Sequence, residues 1–404
     1  MELRVKLAED TIDETDLEAL AEWLKTKPRL TKGPLTLEFE KEWSRWLGRR
    51  HSVFCNSGSS ANLLAYYTLL LSNRLRNRRV IIPVTGWVTT IAPAIQFGLE
   101  PIPCSAAPDT FALDSDHLAD LCARYEPALV VLVQVLGVPA SMEPILDLKE
   151  RYGFLLIEDA CAAIGSHDGH RRVGTYGDLS TFSLYFGHQC STIEGGIVST
   201  DDLELHELLL MLRSHGWSKD VSRATHAKLV REFGIDDFNE PFVFYQPGFN
   251  LRSSDLNAFL GLRQIPKLSW IARKRDENHR RYLRRLGEVL RFQKFSDESV
   301  VSSIHTAAVA RNSAERKQIV AALRNAGIET RMYTAGNLCR HPFWTDRYPP
   351  FSSPLPDLLY EAGFFLPNHP YLTGETIDEI AEIIQDSLKN PAKDTGARHD
   401  GNSH

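Results

Sequence analysis

Three short stretches of this chain combine residue types and spacing that could do chemistry. Asn56-Ser57-Gly58-Ser59-Ser60-Ala61-Asn62 follows an apolar run and opens a helical one. Unpaired amides at a helix start, with small hydroxyls beside them, seat a phosphate, although a serine there also serves as an ordinary cap. Leu155-Leu156-Ile157-Glu158-Asp159-Ala160 reads as an apolar strand ending in paired carboxylates. A carboxylate so placed serves a metal, a ribose hydroxyl or a protonated pyridine nitrogen, or is a solvated strand end. The third stretch runs from Ser180 to Gly196 and carries Ser183, then Gly187-His188, then Gly195-Gly196. Glycine before histidine lets the backbone approach a ligand closely, and the imidazole is either an acid–base group or a structural hydrogen-bonding one.

Those stretches need elements to position them. Short apolar runs at 52–55, 80–82, 129–133 and 154–157 alternate with helical segments such as 61–71 and 142–152. Such alternation predicts crossover units and a mostly parallel, doubly wound α/β sheet, with ligands at the carboxyl ends of the strands. Two short helices open the chain, around Leu17–Leu24 and Phe39–Leu47. Beyond residue 245 a basic helical stretch over 254–290 precedes a strand near 300–309 and helices over 314–326 and 375–388. This reads as a smaller α+β C-terminal domain. The boundaries expected are 1–35 for an N-terminal segment packing with the small domain, 36–245 for the large domain, 246–389 for the small one, and a disordered tail over 390–404.

The chain has 404 residues, 43% hydrophobic and 24% charged, with 46 basic against 52 acidic side chains and a net charge of −6. That balance argues against nucleic acid or an anionic membrane as the main partner. The longest apolar run, 127–139, is too short to span a bilayer, and the start carries no signal-like apolar core. Six cysteines are scattered without close pairs, which disfavours a metal site or an iron–sulfur cluster and suits a reducing cytoplasm. A soluble cytoplasmic enzyme is the class these features leave.

Taken together and in order, the motifs resemble the aspartate-aminotransferase-like proteins, pyridoxal-phosphate fold type I. More closely, the chain resembles the sugar aminotransferase family known as DegT/DnrJ/StrS. The resemblance spans nearly the whole chain and adds Gly33 with Phe39-Glu40, Arg213-Ser-His215-Gly216, Gly248-Phe-Asn250-Leu-Arg252-Ser-Ser-Asp255 and Gly327-Ile-Glu-Thr-Arg331 to the three stretches above. It implies that Gly58, Ser59 and Ser183 hold the phosphate of pyridoxal 5′-phosphate or pyridoxamine 5′-phosphate. It also implies that Asp159 meets the ring nitrogen, that Trp87 stacks on the ring, and that Asn250 reaches in from the partner subunit of a homodimer. His215, Arg331 and Asn337 lie in segments that face the sugar or its diphosphate. Ala162 stands where members carry Gln or Glu near the ring, so Gln134 is the candidate for that contact.

At His188 most members of the family carry the lysine that binds the cofactor covalently. No lysine occurs between Lys149 and Lys219, and imidazole cannot form the imine that a primary amine forms. It can act as a general base. This substitution resembles the branch of nucleotide-sugar C3 dehydratases, and the runs Tyr185–Gly196 and Thr330–Leu338 are similar to its cluster-free members. The resemblance implies removal of the C3 hydroxyl from an NDP-4-keto-6-deoxyhexose with His188 as the catalytic base and L-glutamate as co-substrate. An aminotransferase-like enzyme or a non-catalytic cofactor-binding protein are the other readings.

Overall fold

The computed structural model describes residues 3–334 and 336–389. The tail over 390–404, expected to be disordered, lies outside the described residues. Seven strands form one sheet: β1 (His51–Cys55), β2 (Arg79–Pro83), β3 (Glu100–Cys104), β4 (Leu129–Val133), β5 (Leu155–Asp159), β6 (Leu179–Ser183) and β7 (Gly196–Thr200). Their order is β1-β7-β6-β5-β4-β2-β3. Only β7 runs against its two neighbours, β1 and β6, and the remaining pairings are parallel. The expected mostly parallel sheet is therefore present.

Strands buried on both faces must be apolar on both, and β4, Leu-Val-Val-Leu-Val, is buried throughout. Leu129 and Val131 face a core with Leu64, Ala65 and Leu69 of the helix Gly58–Leu71 and with Leu209 and Leu212 of the helix Leu203–Arg213. Val130 and Leu132 face a second core with Leu118 and Ile145, from helices on the opposite side. That second core continues into a two-stranded antiparallel sheet of β8 (His305–Val309) and β9 (Gly363–Pro367), covered by Ser313–Asn325 and Gly374–Lys389.

Two departures from the expected elements have plain causes. The basic stretch over 254–290 is broken into Asp255–Gln264 and Leu268–Leu286 by a tight turn at Ile265–Lys267. Pro266 in that turn has no amide hydrogen to continue the helix. Strand β3 holds Pro101 and Pro103, which weaken its strand signal; both are tolerated because β3 is an edge strand.

Remote side chains fix the helix that precedes β1. Asp255 accepts from the amides of Gly33 (2.7 Å), Leu35 (3.2 Å) and Thr36 (3.0 Å), capping the helix Pro34–Leu47 from another element. A Cβ on Gly33 would lie 2.8 Å from that carboxylate, so glycine is required by space. Farther along the same helix, Glu40 accepts from the Phe54 amide (2.8 Å) and from the fully buried Arg213, which also donates to the Phe54 carbonyl (2.9 Å) and to Asp220 (3.3 Å). Removing one anion of a buried ion network under-compensates the cation, here leaving Arg213 with Asp220 alone. Glu40→Gln is expected to lower unfolding free energy by about 3 kcal/mol, read as a lower urea midpoint at unchanged m-value.

Candidate active site

Because β7 opposes both β1 and β6, β1 runs in the same direction as β2 to β6. Residues 56–59, 84–87, 134, 160–162 and 184–188 therefore all leave the sheet at one edge. Pairing alone gathers the three stretches that the sequence keeps far apart.

The first is a helix start. Ser57 caps Gly58–Leu71 by accepting from the Ser60 amide (3.1 Å), and the first helical amides have no acceptor within the helix. A Cβ on Gly58 would come within 2.5 Å of the Ser183 Cβ, so the loop after β1 lies directly against the end of β6. Ser59 donates to the Thr89 hydroxyl (3.0 Å), in the first turn of the helix Val88–Gln96. Gly58, Ser59, Thr89 and Ser183 thus surround one small cradle, of a kind that suits a phosphate. Thr89 was not legible as part of it.

The paired carboxylates of β5 point to opposite faces and have different surroundings. Glu158 is fully buried and accepts from the amides of Gly174, Tyr176 and Gly177 and from Gln134 (2.8 Å), so it holds the loop before β6. Asp159 accepts from Thr90 (2.6 Å) and Asn62 (2.9 Å) on Oδ2 and from the Cys161 amide (3.0 Å) on Oδ1. Asn62 is itself fixed by Thr181 (2.6 Å). The Cys161 thiol also donates to Asp159, which stands nearly buried at the sheet edge. Neither Glu158 nor Asp159 is a solvated strand end. Gln134 does not provide the expected ring contact, because its amide is fully buried between Glu158 and the Ala140 amide.

Gly187 adopts φ +82°, and a Cβ there would clash with Ala8 at 2.7 Å. This turn presents His188, whose Nδ1 lies 2.8 Å from the Cys161 carbonyl. A carbonyl only accepts, so Nδ1 carries the hydrogen and Nε2 carries the lone pair. Burial pushes the imidazole down to about 4, with the Arg275 guanidinium adding to that and Asp159 opposing it. The ring is neutral at physiological pH and ready to take a proton. Trp87 is 60% exposed, unlike a core aromatic, and begins the helix next to Thr89 and Thr90.

The residues expected to meet a substrate fall into three groups. His215, with φ +60°, sits 3.3 Å from Arg252 and edge-on to Trp217. Arg252 bridges to Cys55, and Asn250 bridges to Ser214, which places this segment beside the phosphate loop. Asn250 is exposed, accepts from Arg252 (3.0 Å), and lines a polar cavity of about 330 Å³ with Asn56, Glu194 and Asn257. Arg331 is exposed beside Glu329 (3.0 Å), and its charge acts on His305 of β8, which also feels His188. Asn337 departs from expectation: it is fully buried, capping the turn at Leu338–Arg340 through the Cys339 amide and donating to Phe351 and Asp357. Its amide serves the fold and does not face a ligand.

Among the described residues no helix is long and apolar enough to cross a membrane, and no three metal-ligating side chains converge.

A family model described as the DegT/DnrJ/EryC1/StrS aminotransferase family matches residues 10–385. GDP-4-keto-6-deoxy-D-mannose 3-dehydratase of Yersinia pseudotuberculosis is 30% identical, over 94% of this chain and 98% of its own. The dTDP-4-dehydro-2,6-dideoxy-D-glucose 3-dehydratase of Saccharopolyspora spinosa is 31% identical, over 92% and 84%. Among solved structures, the E. coli GDP-4-keto-6-deoxy-D-mannose-3-dehydratase with bound hydrated PLP superimposes with TM-score 0.85 at 26% identity, covering 95% of this chain and all of that one.

A helix start packed closely against Ser183, a hydrogen-bonded carboxylate at the sheet edge and an exposed indole fit pyridoxal phosphate. Gly58→Ala is expected to weaken its binding at least about tenfold, a loss of one phosphate contact. Absorbance titration of the purified variant measures this, and unchanged affinity would remove the cradle assignment.

Proposed function

The chain belongs to the DegT/DnrJ/EryC1/StrS aminotransferase family, and from that premise we propose that it is a nucleotide-sugar 3-dehydratase. It is an enzyme dependent on pyridoxal phosphate, and the substrate proposed is an NDP-4-keto-6-deoxyhexose, with GDP-4-keto-6-deoxy-D-mannose first in line. The product is the 3,6-dideoxy-4-keto sugar, a precursor of colitose-type sugars, and L-glutamate restores the amine form of the cofactor. The observation that carries this reading is His188: a neutral imidazole on the Gly187 turn, at the position where a covalent anchor would be a primary amine.

In its amine form the cofactor supplies a nitrogen for the C4 ketone and a ring that accepts electrons. Gly58, Ser59, Thr89 and Ser183 would hold its phosphate, and Asp159 would accept the ring N–H. Asp159 is kept in place for that by Thr90, Asn62 and the Cys161 amide. Trp87 would cover one ring face and keep water from it. His188 Nε2 would take a proton from the carbon that carries the amine and deliver it to the C3 hydroxyl, so that the oxygen departs as water. Hydrolysis then frees ammonia, and glutamate leaves as 2-oxoglutarate. Without a lysine at 188, nothing at that turn captures the cofactor as an imine, which lets deoxygenation replace the usual amino transfer. His215, Arg252 and Arg331 supply cationic and hydrogen-bonding groups for the diphosphate, the forked guanidinium being suited to it.

A cytoplasmic homodimer is part of this reading. Asn250 of each subunit would complete the neighbouring site, and Phe238, Phe242 and Phe244, exposed at 91%, 72% and 57%, supply apolar surface on the segment that leads to it.

The reading is tested by incubating the purified protein with pyridoxal phosphate, L-glutamate and GDP-4-keto-6-deoxymannose, followed by mass spectrometry. A product lighter by one oxygen, with ammonia and 2-oxoglutarate, is the expected result. A product in which the ketone oxygen is exchanged for an amine would mean transamination, and turnover only of a dTDP sugar would reassign the nucleotide. His188→Asn is expected to lose turnover by at least about 100-fold while pyridoxal phosphate still binds. Retained turnover would take the base role away from His188.

A further inference from the structure

Arg275 lies in the middle of the helix Leu268–Leu286 and is fully buried, yet among the described residues it has no acidic partner. Its guanidinium donates instead to five carbonyls: Ser303 (3.1 Å), Ile304 (3.0 Å), Asn368, Gly187 (3.4 Å) and His188 (3.4 Å). Buried charges are ordinarily paired, because an unpaired one costs several kcal/mol. Here the cation is retained against that cost, directly behind the turn that presents the base.

We propose that Arg275 is a positioning residue for His188: it locks the Gly187–His188 turn through both carbonyls and places a fixed positive charge beside the imidazole, adding to burial in opposing its protonation. The inference rests on His188 being the base.

The surroundings favour this electrostatic role. On its own turn His188 meets Tyr185, edge-on at 6.1 Å. From β5 and the residues after it come Asp159 and the Cys161 carbonyl, the two groups that favour a charged ring. From β8 comes His305, pushed down to about 3 by burial and then by Arg275. His369 is pushed down to about 4 by the same two causes, and Glu9 and Lys6 act on it from the N-terminal segment. His279, one turn beyond Arg275, is also neutral through burial. Among the described residues Asp159 is thus the one anion acting on His188. Arg275 opposes it with a cation hydrogen-bonded to the turn itself. Several polar atoms around the guanidinium have no partner, among them Arg275 Nε, Gln189 Oε1, Ser302 Oγ and Asn368 Oδ1. None of these atoms carries a compensating negative charge.

The sign follows directly. Removing a nearby cation raises the imidazole's affinity for a proton, so the acid limb of activity must move up in pH. The test compares Arg275→Lys, which keeps the charge, with Arg275→Gln, which keeps donors and loses it; Arg275→Met is a second neutral variant. Nitrogen chemical shifts of ring-labelled His188, identified by their absence in His188→Asn, are followed against pH in cofactor-free protein. In the Lys variant the ring should protonate where the parent's does, and in the neutral variants about one pH unit higher. The acid limb of kcat/KM should move by the same amount. Unchanged titration in a folded neutral variant, or an equal shift in the Lys variant, would overturn the proposal. A shifted titration without turnover of any keto sugar would instead sink the dehydratase reading and leave only the coupling between Arg275 and His188 standing.

Discussion

A buried carboxylate at the end of a strand constrains the rest of this molecule. Asp159 can be buried only if its oxygens are hydrogen-bonded, because an unsolvated anion costs far more than the fold can absorb. Its donors come from Thr90 after β2, Asn62 after β1 and the Cys161 amide after β5. Satisfying one anion therefore registers three crossover units against one another. The same register carries Gly58 against Ser183 and Trp87 to the rim, so the proposed phosphate and ring contacts share a single origin. Glu158, one residue earlier and on the other face, does the equivalent for the loop over 174–177. The pleat of β5 separates an acid that holds a loop from the one proposed to meet the cofactor.

The departure at position 188 has a physical meaning beyond the missing amine. A lysine would bring a long, flexible, strongly solvated side chain to the cofactor's carbon. A histidine brings a rigid ring whose tautomer is set by the carbonyl behind it. Burial makes that ring a weak base, matched to a task in which a proton taken up must soon be given away. The turn that carries it uses a left-handed glycine and rests on Ala8, so the N-terminal segment contributes to how the base is aimed.

Much of this architecture was legible in the residues. Alternating apolar runs and helical segments sufficed for a parallel sheet, since β2, β4 and β5 are apolar on both faces and leave no other reading. Strands with mixed composition were harder: β3 carries two prolines, and β7, Gly-Ile-Val-Ser-Thr, is too short and too polar to stand out from a loop. In the site, the three stretches located Gly58, Ser59, Asp159, Ser183 and His188 at one edge. Thr89, Thr90 and Arg275 escaped notice because their partners lie far away in sequence and nothing local marks them. Asn62 closed a recognised motif, but its tie to Asp159 spans 97 residues and appears only with the sheet register. Asn337 misled for the opposite reason: an asparagine before a tight turn is first of all a cap, and Gln134 likewise answers a buried glutamate.

Several residues that carried the family resemblance touch no chemistry at all. Gly33 is present because Asp255 caps the helix beside it, and Glu40 because Arg213 is buried against it. These pairs join elements more than 170 residues apart, so neither partner can change alone without leaving a helix uncapped or a buried charge under-compensated. They fix a frame that is compatible with either outcome of the chemistry, amino transfer or deoxygenation. The choice between those outcomes falls to the few side chains at the sheet edge that the frame leaves free. Of these, the residue at 188 offers no primary amine to capture a cofactor, and burial together with the neighbouring Arg275 opposes protonation of its ring. A likeness spread over the whole chain therefore establishes the frame, while the reaction must be read from the turn at Gly187-His188 and the charges that face it.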